Sequence, residues 1–266
     1  MKKWIKRIFW FLFVLGVIVL QAFAVNHQKE QVIQQPKIEL EIQDGIALIN
    51  KNEIFNLLRT KALIGDSLMK AELDIKTIEQ FLYNLNEIES VDVFKQLNDA
   101  WTIYAKVRKP IARIKFQNGD GFYVDKHGQV IGLSPFAKPR ILTFTGLDRE
   151  LEALDDFNEI INNDSLITKY KISDIYRISN YVCNDAFYDA QIVQVHYDKA
   201  QGFILIPRVG GQEIIFGSAE SEEEVRLKFE KLTTFYDEVI PFEGWDKYGV
   251  INLRFANQIV AREKDN

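Results

Sequence analysis

The chain holds a single cysteine in 266 residues, Cys183, so no disulfide can form within it and its fold must rest on burial alone. Cys183 reads as a small, partly buried hydrophobe, with an intermolecular disulfide as the other reading. Histidine is nearly as scarce. His27, His127 and His196 stand apart, and none has a second histidine, a cysteine or a carboxylate at metal-ligand spacing. No Gly-x-Ser-x-Gly nucleophile turn occurs. Gly210-Gly211 is no phosphate loop, because no Lys-Ser or Lys-Thr follows and no helix pattern begins there. Asp125-Lys126-His127 sets an acid beside a base, but Gly128 marks a turn, and the context favours an exposed hairpin tip. Glu222–Glu224 read as acids that complement a helix N-terminus rather than as a metal site. These absences predict a protein that is not an enzyme, with no catalytic residue, no cofactor, no metal and no small-molecule substrate. A secreted hydrolase with an unrecognised site stays open as an alternative.

Positive charge is sparse outside one place. The net charge is −5, and Lys2, Lys3, Lys6 and Arg7 contribute +4 of it, so the rest of the chain carries −9. An acidic chain lacks the clustered Lys and Arg that hold phosphates, which excludes nucleic acid as a partner. Disorder is also excluded, since 47% of the residues are hydrophobic and only 27% charged.

What is present begins at the N-terminus. The basic cluster precedes an apolar run from Ile8 to Val25, interrupted only by Gln21. As a helix the run nearly matches a hydrocarbon core about 30 Å thick. Its Ile, Leu, Phe and Val residues favour insertion by about 5 kcal/mol in sum, enough to absorb one glutamine. Residues 1–7 are then a cytoplasmic tail, 8–25 a transmembrane helix, and the remainder lies across the membrane. Ala22-Phe23-Ala24 also fits a signal-peptide cleavage site after Ala24, so retention and cleavage both stay open.

Beyond it, Asn26–Pro36 is polar and aperiodic and reads as a linker. Ile38, Leu40 and Ile42 alternate with acids as a strand. Asn50 with Glu53 forms a capping box for a helix through Leu58, and Asp74 caps a second helix with an apolar stripe of Ile75, Ile78, Phe81, Leu82 and Leu85. Val91–Phe94 and Trp101–Val107 read as strands about a Gln96–Asp99 turn. The order strand, helix, helix, strand, strand makes a domain over 37–110. A β-rich domain follows over 111–261, with a short charged tail at 262–266. Its expected pieces are a hairpin of Tyr123–Asp125 with Gln129–Ile131, a helical Leu147–Ile161, and strands at Gln191–Tyr197, Phe203–Val209 and Glu213–Phe216. Gly210-Gly211 signals a two-residue hairpin, and Pro207 a bulge or edge. Ser221 with Glu224 opens a helix whose Val225, Phe229, Leu232, Tyr236 and Val239 share a face, stopped by Pro241 and Gly244. Val250–Val260 reads as one last strand, either a free edge that accepts a partner's strand or one paired on both sides.

These landmarks together resemble the bacterial cell-division family FtsQ/DivIB. The junction Val107-Arg108-Lys109-Pro110-Ile111-Ala112-Arg113-Ile114, the Tyr123–Gly128 hairpin, Pro139–Gly146, Ile214–Gly217, Arg226-Leu227 and the closing Gly249–Phe255 are each similar to the family in order along the chain. Asn252 stands where the family commonly has an acid and Phe255 where it has tyrosine. Ile160–Cys183 carries no family landmark. The resemblance implies an α+β chain with a single N-terminal transmembrane helix, a POTRA-type βααββ domain and an antiparallel β-rich domain with flanking helices. It implies a non-enzymatic scaffold of the septum in the inner membrane, with its C-terminal domains in the periplasm. The implied partners are FtsB, FtsL and other division proteins. The implied partner-binding residues are Asn252, Leu253, Arg254, Phe255, Ala256, Asn257, Gln258 and Ile259, with Lys199 as a basic contributor. A POTRA-bearing chaperone or translocation component is the alternative within the same architecture.

Overall fold

The computed structural model describes residues 2–29, 32–65, 68–70, 72–96, 100–116, 119–147 and 164–264. The chain divides into two units, one of Met1–Glu41 with Ile49–Val107, the other of Ile42–Leu48 with Arg108–Asn266.

The first unit opens with helix α1 (Lys2–Lys29). Its described side chains are Trp4 and the stretch Phe9–Phe23, and the large apolar residues among them are solvent-exposed. Those fifteen residues span about 22 Å of helix against the roughly 30 Å of a bilayer core. Among the described residues no helix is long and apolar enough to cross a membrane. The helix runs on to Lys29, and Ile33 is buried, its N–H donating to Leu68 O at 2.9 Å.

Then come β1 (Lys37–Glu41), α2 (Lys51–Thr60), α3 (Ile75–Tyr83), β2 (Ile88–Lys95) and β3 (Trp101–Val107). The sheet order is β1-β3-β2, with β1 parallel and β2 antiparallel to β3. Both helix starts form by the expected chemistry. Asn50 Oδ1 accepts from the N–H groups of Asn52 and Glu53, while Glu53 reaches back to the Asn50 N–H. Asp74 accepts from the Thr77 N–H and hydroxyl. Ile54 and Leu58 of α2 and Ile78 and Leu82 of α3 are fully buried. Most of the expected Gln96–Asp99 turn lies outside the described residues.

The second unit holds β4 (Pro110–Lys115), β5 (Gly121–Asp125), β6 (Val130–Gly132), β7 (Leu142–Thr145), α4 (Asp164–Lys169), α5 (Ile172–Cys183), α6 (Ala186–Gln191), β8 (Ile192–Asp198), β9 (Gly202–Pro207), β10 (Glu213–Gly217), α7 (Glu222–Glu238), α8 (Ile240–Glu243), β11 (Tyr248–Asn252) and β12 (Val260–Glu263). Nine strands form one sheet in the order β12-β11-β10-β9-β8-β7-β4-β5-β6. The α+β class holds, but the sheet is mixed rather than antiparallel. β4 with β7, β7 with β8, and β10 with β11 all pair in parallel. Parallel neighbours need long crossovers, and α5–α6 before β8 and α7–α8 before β11 supply two of them. The helical reading of Leu147–Ile161 falls almost wholly outside the described residues.

The core is formed from β4–β11 and helices α5–α7. Phe229 of α7 is its aromatic centre. The Tyr181 ring stacks on it at 4.3 Å, and Tyr188 and Phe216 approach at 4.7 and 5.1 Å. The buried Tyr188 hydroxyl is satisfied by Phe229 O at 3.0 Å and Thr233 Oγ1 at 2.7 Å. Segment Ile42–Leu48 is fastened within this unit by polar contacts. Asp44 meets Lys109 at 2.5 Å, Lys126 Nζ donates to Gln43 at 2.8 Å, and the Ser134 hydroxyl donates to Leu48 O at 2.9 Å.

Three local expectations change. Gly210-Gly211 sits in a five-residue connection, Arg208–Gln212, and not in a two-residue hairpin. Pro207 ends β9, a central strand, opposite a register shift in β8, so it marks a bulge and not an edge. Val250–Val260 is not one strand. Residues 253–259 leave the extended ladder and return the chain as the antiparallel β12.

Candidate partner-binding face

The closing hairpin is built on β11. Its residues Val250–Asn252 pair with β10 on one side and with β12 on the other. The edge of the sheet is therefore β12. Buried Leu253 continues the inner pairing, its N–H donating to Ile215 O at 2.9 Å.

The connection that follows is held by two cationic side chains. Lys231 Nζ, from α7, donates to Leu253 O at 2.9 Å and Phe255 O at 2.7 Å. Burial, with the nearby Lys228, lowers the Lys231 pKa. Arg254 lies across Gly217, where a Cβ would stand only 2.7 Å from Arg254 Cγ. Gly217 also adopts φ +82°, a region that disfavours side chains, so glycine is required there twice over. Asn252 Oδ1 accepts from the Arg254 N–H at 3.1 Å and from its Nε at 3.3 Å. These bonds fix Arg254 and leave Phe255 displayed, 44% exposed on an ordered turn.

The expected binding residues thus divide. Asn252 lies in β11, Leu253 is core, and Arg254 through Gln258 are exposed in the connection. Ile259 packs partly against the core before β12 begins. Lys199 is exposed in the turn between β8 and β9, where Asp198 Oδ1 accepts from the N–H groups of Ala200 and Gln201, both at 2.8 Å. That turn leads into Gly202, which abuts Gly217 so closely that a Cβ would approach Gly217 C to 2.6 Å. Gly202, Gly217 and Arg254 therefore succeed one another, and the fold brings the Lys199 turn and Arg254 to one end of the sheet.

The N-terminal end of α7 supports this face. Ser221 caps it through the Glu224 N–H at 3.1 Å. The expected reciprocal bond is redirected: the Glu224 carboxylate takes the Ser218 hydroxyl, the Glu220 N–H and Lys228 Nζ. Burial works against its ionisation, but these donors outweigh burial and hold its carboxyl below the usual range. Lys228 is buried and also faces the Phe216 ring at 5.1 Å. Arg226 bridges Glu223 and Glu230 on the exposed side. Among the described residues no group of three or more His, Cys, Asp or Glu side chains is placed to hold a metal ion.

The family model FtsQ/DivIB, C-terminal related, matches residues 109–262, from the residue before β4 into β12. The chain belongs to this family. Membership gives it a cell-division role in general terms, and the family is one of non-catalytic division scaffolds, in line with the expectation of a non-enzyme. Comparison with curated proteins gives no match. The family match spans the whole sheet except the outer end of β12.

The sequence reading missed the true edge, Val260–Glu263, because only its first residue was included in the last strand. It also missed Lys231, and it takes Gly217 only as the end of the landmark Ile214–Gly217. A lysine one turn after Leu227 on an exposed helix face gives no sign that its target is a pair of distant carbonyls. Gly217, by contrast, closing Ile214-Ile215-Phe216, carried a visible signal, since glycine at a strand end often admits a close neighbour.

Proposed function

We propose that this protein is a membrane-anchored scaffold of the division septum that captures FtsB and FtsL on its closing hairpin, outside the inner membrane. The observation that carries the reading is the exposed β12 edge at the end of the family-matched sheet, flanked by the fixed Arg254 and the displayed Phe255. An edge strand offers unpaired N–H and C=O groups to an incoming strand. Four residues supply about four new hydrogen bonds at most, worth about 1 kcal/mol each. Micromolar affinity needs about 8 kcal/mol after ordering costs, so side chains must supply the rest. Phe255, Val260 and Arg254 are the side chains nearest a strand added there, while the Lys199 turn lies at the same end of the sheet but several strands away. The proposal moves the docking strand from Asn252–Ile259 to β12 and keeps Arg254 to Gln258 as flanking contacts.

The continuous exposed apolar stretch of α1, within the basic-led run Ile8–Val25, supports anchoring with the N-terminus in the cytoplasm. The strand-helix-helix-strand-strand order of the first unit supports its reading as a POTRA-type domain over 37–110, followed by the β-domain over 111–261. Calorimetry of the full chain in detergent against FtsB is the test. Phe255→Ala is expected to weaken binding about tenfold with the fold intact. Unchanged affinity refutes the interface, and a fluorescent fusion spread evenly around the envelope refutes the septal role. A mature N-terminus at Val25 refutes the anchor alone.

A further inference from the structure

A groove crosses the second unit where the three parallel strands β4, β7 and β8 begin. One cavity of about 670 Å³ lies between Arg140, Leu142, Asp189, Ile192 and Arg208. A second, of about 480 Å³, shares Arg140, Ile141, Leu142 and Asp189 with the first and continues past Pro110 to Ser179 and Val182 of α5. Leu142, Ile192 and Val182 make the floor apolar and are buried. Each of the three strands is already paired on both sides, so nothing can dock here by strand addition. The place is also separate from the closing hairpin: β8 is four strands from β12, about 20 Å away at ordinary strand spacing.

Four polar side chains on this groove lack partners among the described residues. Arg140 and Arg208 are exposed on its rim, and their guanidinium groups make no hydrogen bond or ion pair among the described residues, in a chain of net charge −5. Ser179 is fully buried, lines the second cavity, and its hydroxyl is unsatisfied. A buried hydroxyl without a partner is uncommon and costly. Of the other charges, Lys109 is held by Asp44, whereas the Asp189 carboxylate on the shared wall is also unpaired among the described residues.

We propose that this groove is a second docking site, which takes an extended acidic peptide segment of a partner protein. Two guanidinium forks suit carboxylates spaced along such a segment. The apolar floor takes the side chains between them, the unsatisfied Ser179 hydroxyl takes a backbone group, and Asp189 accepts from a backbone N–H. A concave floor of this size fits a chain segment and not the plane of a bilayer. This inference does not rest on the division reading.

The test is fluorescence anisotropy on the full chain in neutral detergent, with the labelled probe peptide Gly-Glu-Ile-Asp-Leu-Glu-Gly and its counterpart in which every acid is replaced by its amide. The acidic probe is expected to bind at least about tenfold tighter than the amide probe. The double variant Arg140→Glu with Arg208→Glu is expected to lose about tenfold or more, with circular dichroism unchanged. The control Lys115→Glu, on an exposed position of β4, is expected to stay within about twofold. Ser179→Ala is expected to weaken the probe without lowering the unfolding midpoint, a split that a merely structural hydroxyl would not give. Equal binding of the two probes, full binding by the double variant, or no binding at about 1 mM overturns the proposal. Displacement of the probe by dihexanoyl phosphatidylglycerol more readily than by unlabelled acidic peptide also overturns it, in favour of a lipid headgroup.

Discussion

The two edges of the nine-stranded sheet are treated in opposite ways. β6 is three residues long and buried throughout, with Val130 at 4% and Ile131 at 6% exposure. Just beyond it the Ser134 hydroxyl ties in the segment Ile42–Leu48. β12 is exposed, with Val260 at 44%, and carries Arg262 and Glu263, followed by Lys264. Both are short, but one edge is hidden and the other is guarded by charge. Charged edge residues discourage indiscriminate pairing while leaving the backbone available to a strand of matching charge. An open sheet must end somewhere, and this one spends its free end on the side where Arg254 and Phe255 are displayed.

That contrast makes a matched pair of substitutions decisive. Val130→Asp puts a charge into the buried edge and is expected to cost about 4 kcal/mol, whereas Val260→Asp is expected to cost less than about 1 kcal/mol. Denaturant titration followed by tryptophan fluorescence measures both, and equal costs would mean that the two edges do not differ as described. Lys231→Met comes next. It removes the ammonium that two carbonyls of the closing connection share, for about 2 kcal/mol. Amide exchange of residues 254–259 should accelerate while that of β5 and β6 does not, which confines the effect to the guarded edge.

The smallest effect is a pH dependence at the N-terminal end of α7. The Glu224 carboxyl is held below its ordinary value of 4.5 in the folded chain. The unfolded state therefore binds the proton first, and the stability this group contributes is complete above pH 4.5 and is lost as pH falls through the folded value. Glu224→Gln should flatten that part of the acid limb in urea titrations between neutral pH and about pH 3.5. An unchanged acid limb would show that its donors do not favour the ionised form.

Much of the first unit was legible in advance because its signals are short-range. Asn50 and Glu53 cap each other across three residues, and Trp101–Val107 was bounded correctly by its own composition. The second unit yielded less. Helix α5 displays Ile172, Ile175, Ile178 and Val182 on one buried face, a period open to reading, yet it sits in the stretch without family landmarks. β7 gives no strand signal in the sequence, because four residues set between Pro139 and Gly146 look like a loop. The candidate site was half legible: Arg254 and Phe255 were singled out, while the strand that makes an edge of their neighbourhood was not.

Local chemistry wrote the helix caps, the apolar stripes, the basic-led N-terminal run and the absence of disulfides directly into the residues, since each depends on side chains a few positions apart. Which strands run parallel, that β11 lies inside and β12 outside, and that Lys231 reaches two carbonyls more than twenty residues away were decided by the packed chain. Those outcomes depend on pairings between distant segments whose order is set by crossovers and by the burial of one shared core, and no window of the sequence contains both partners.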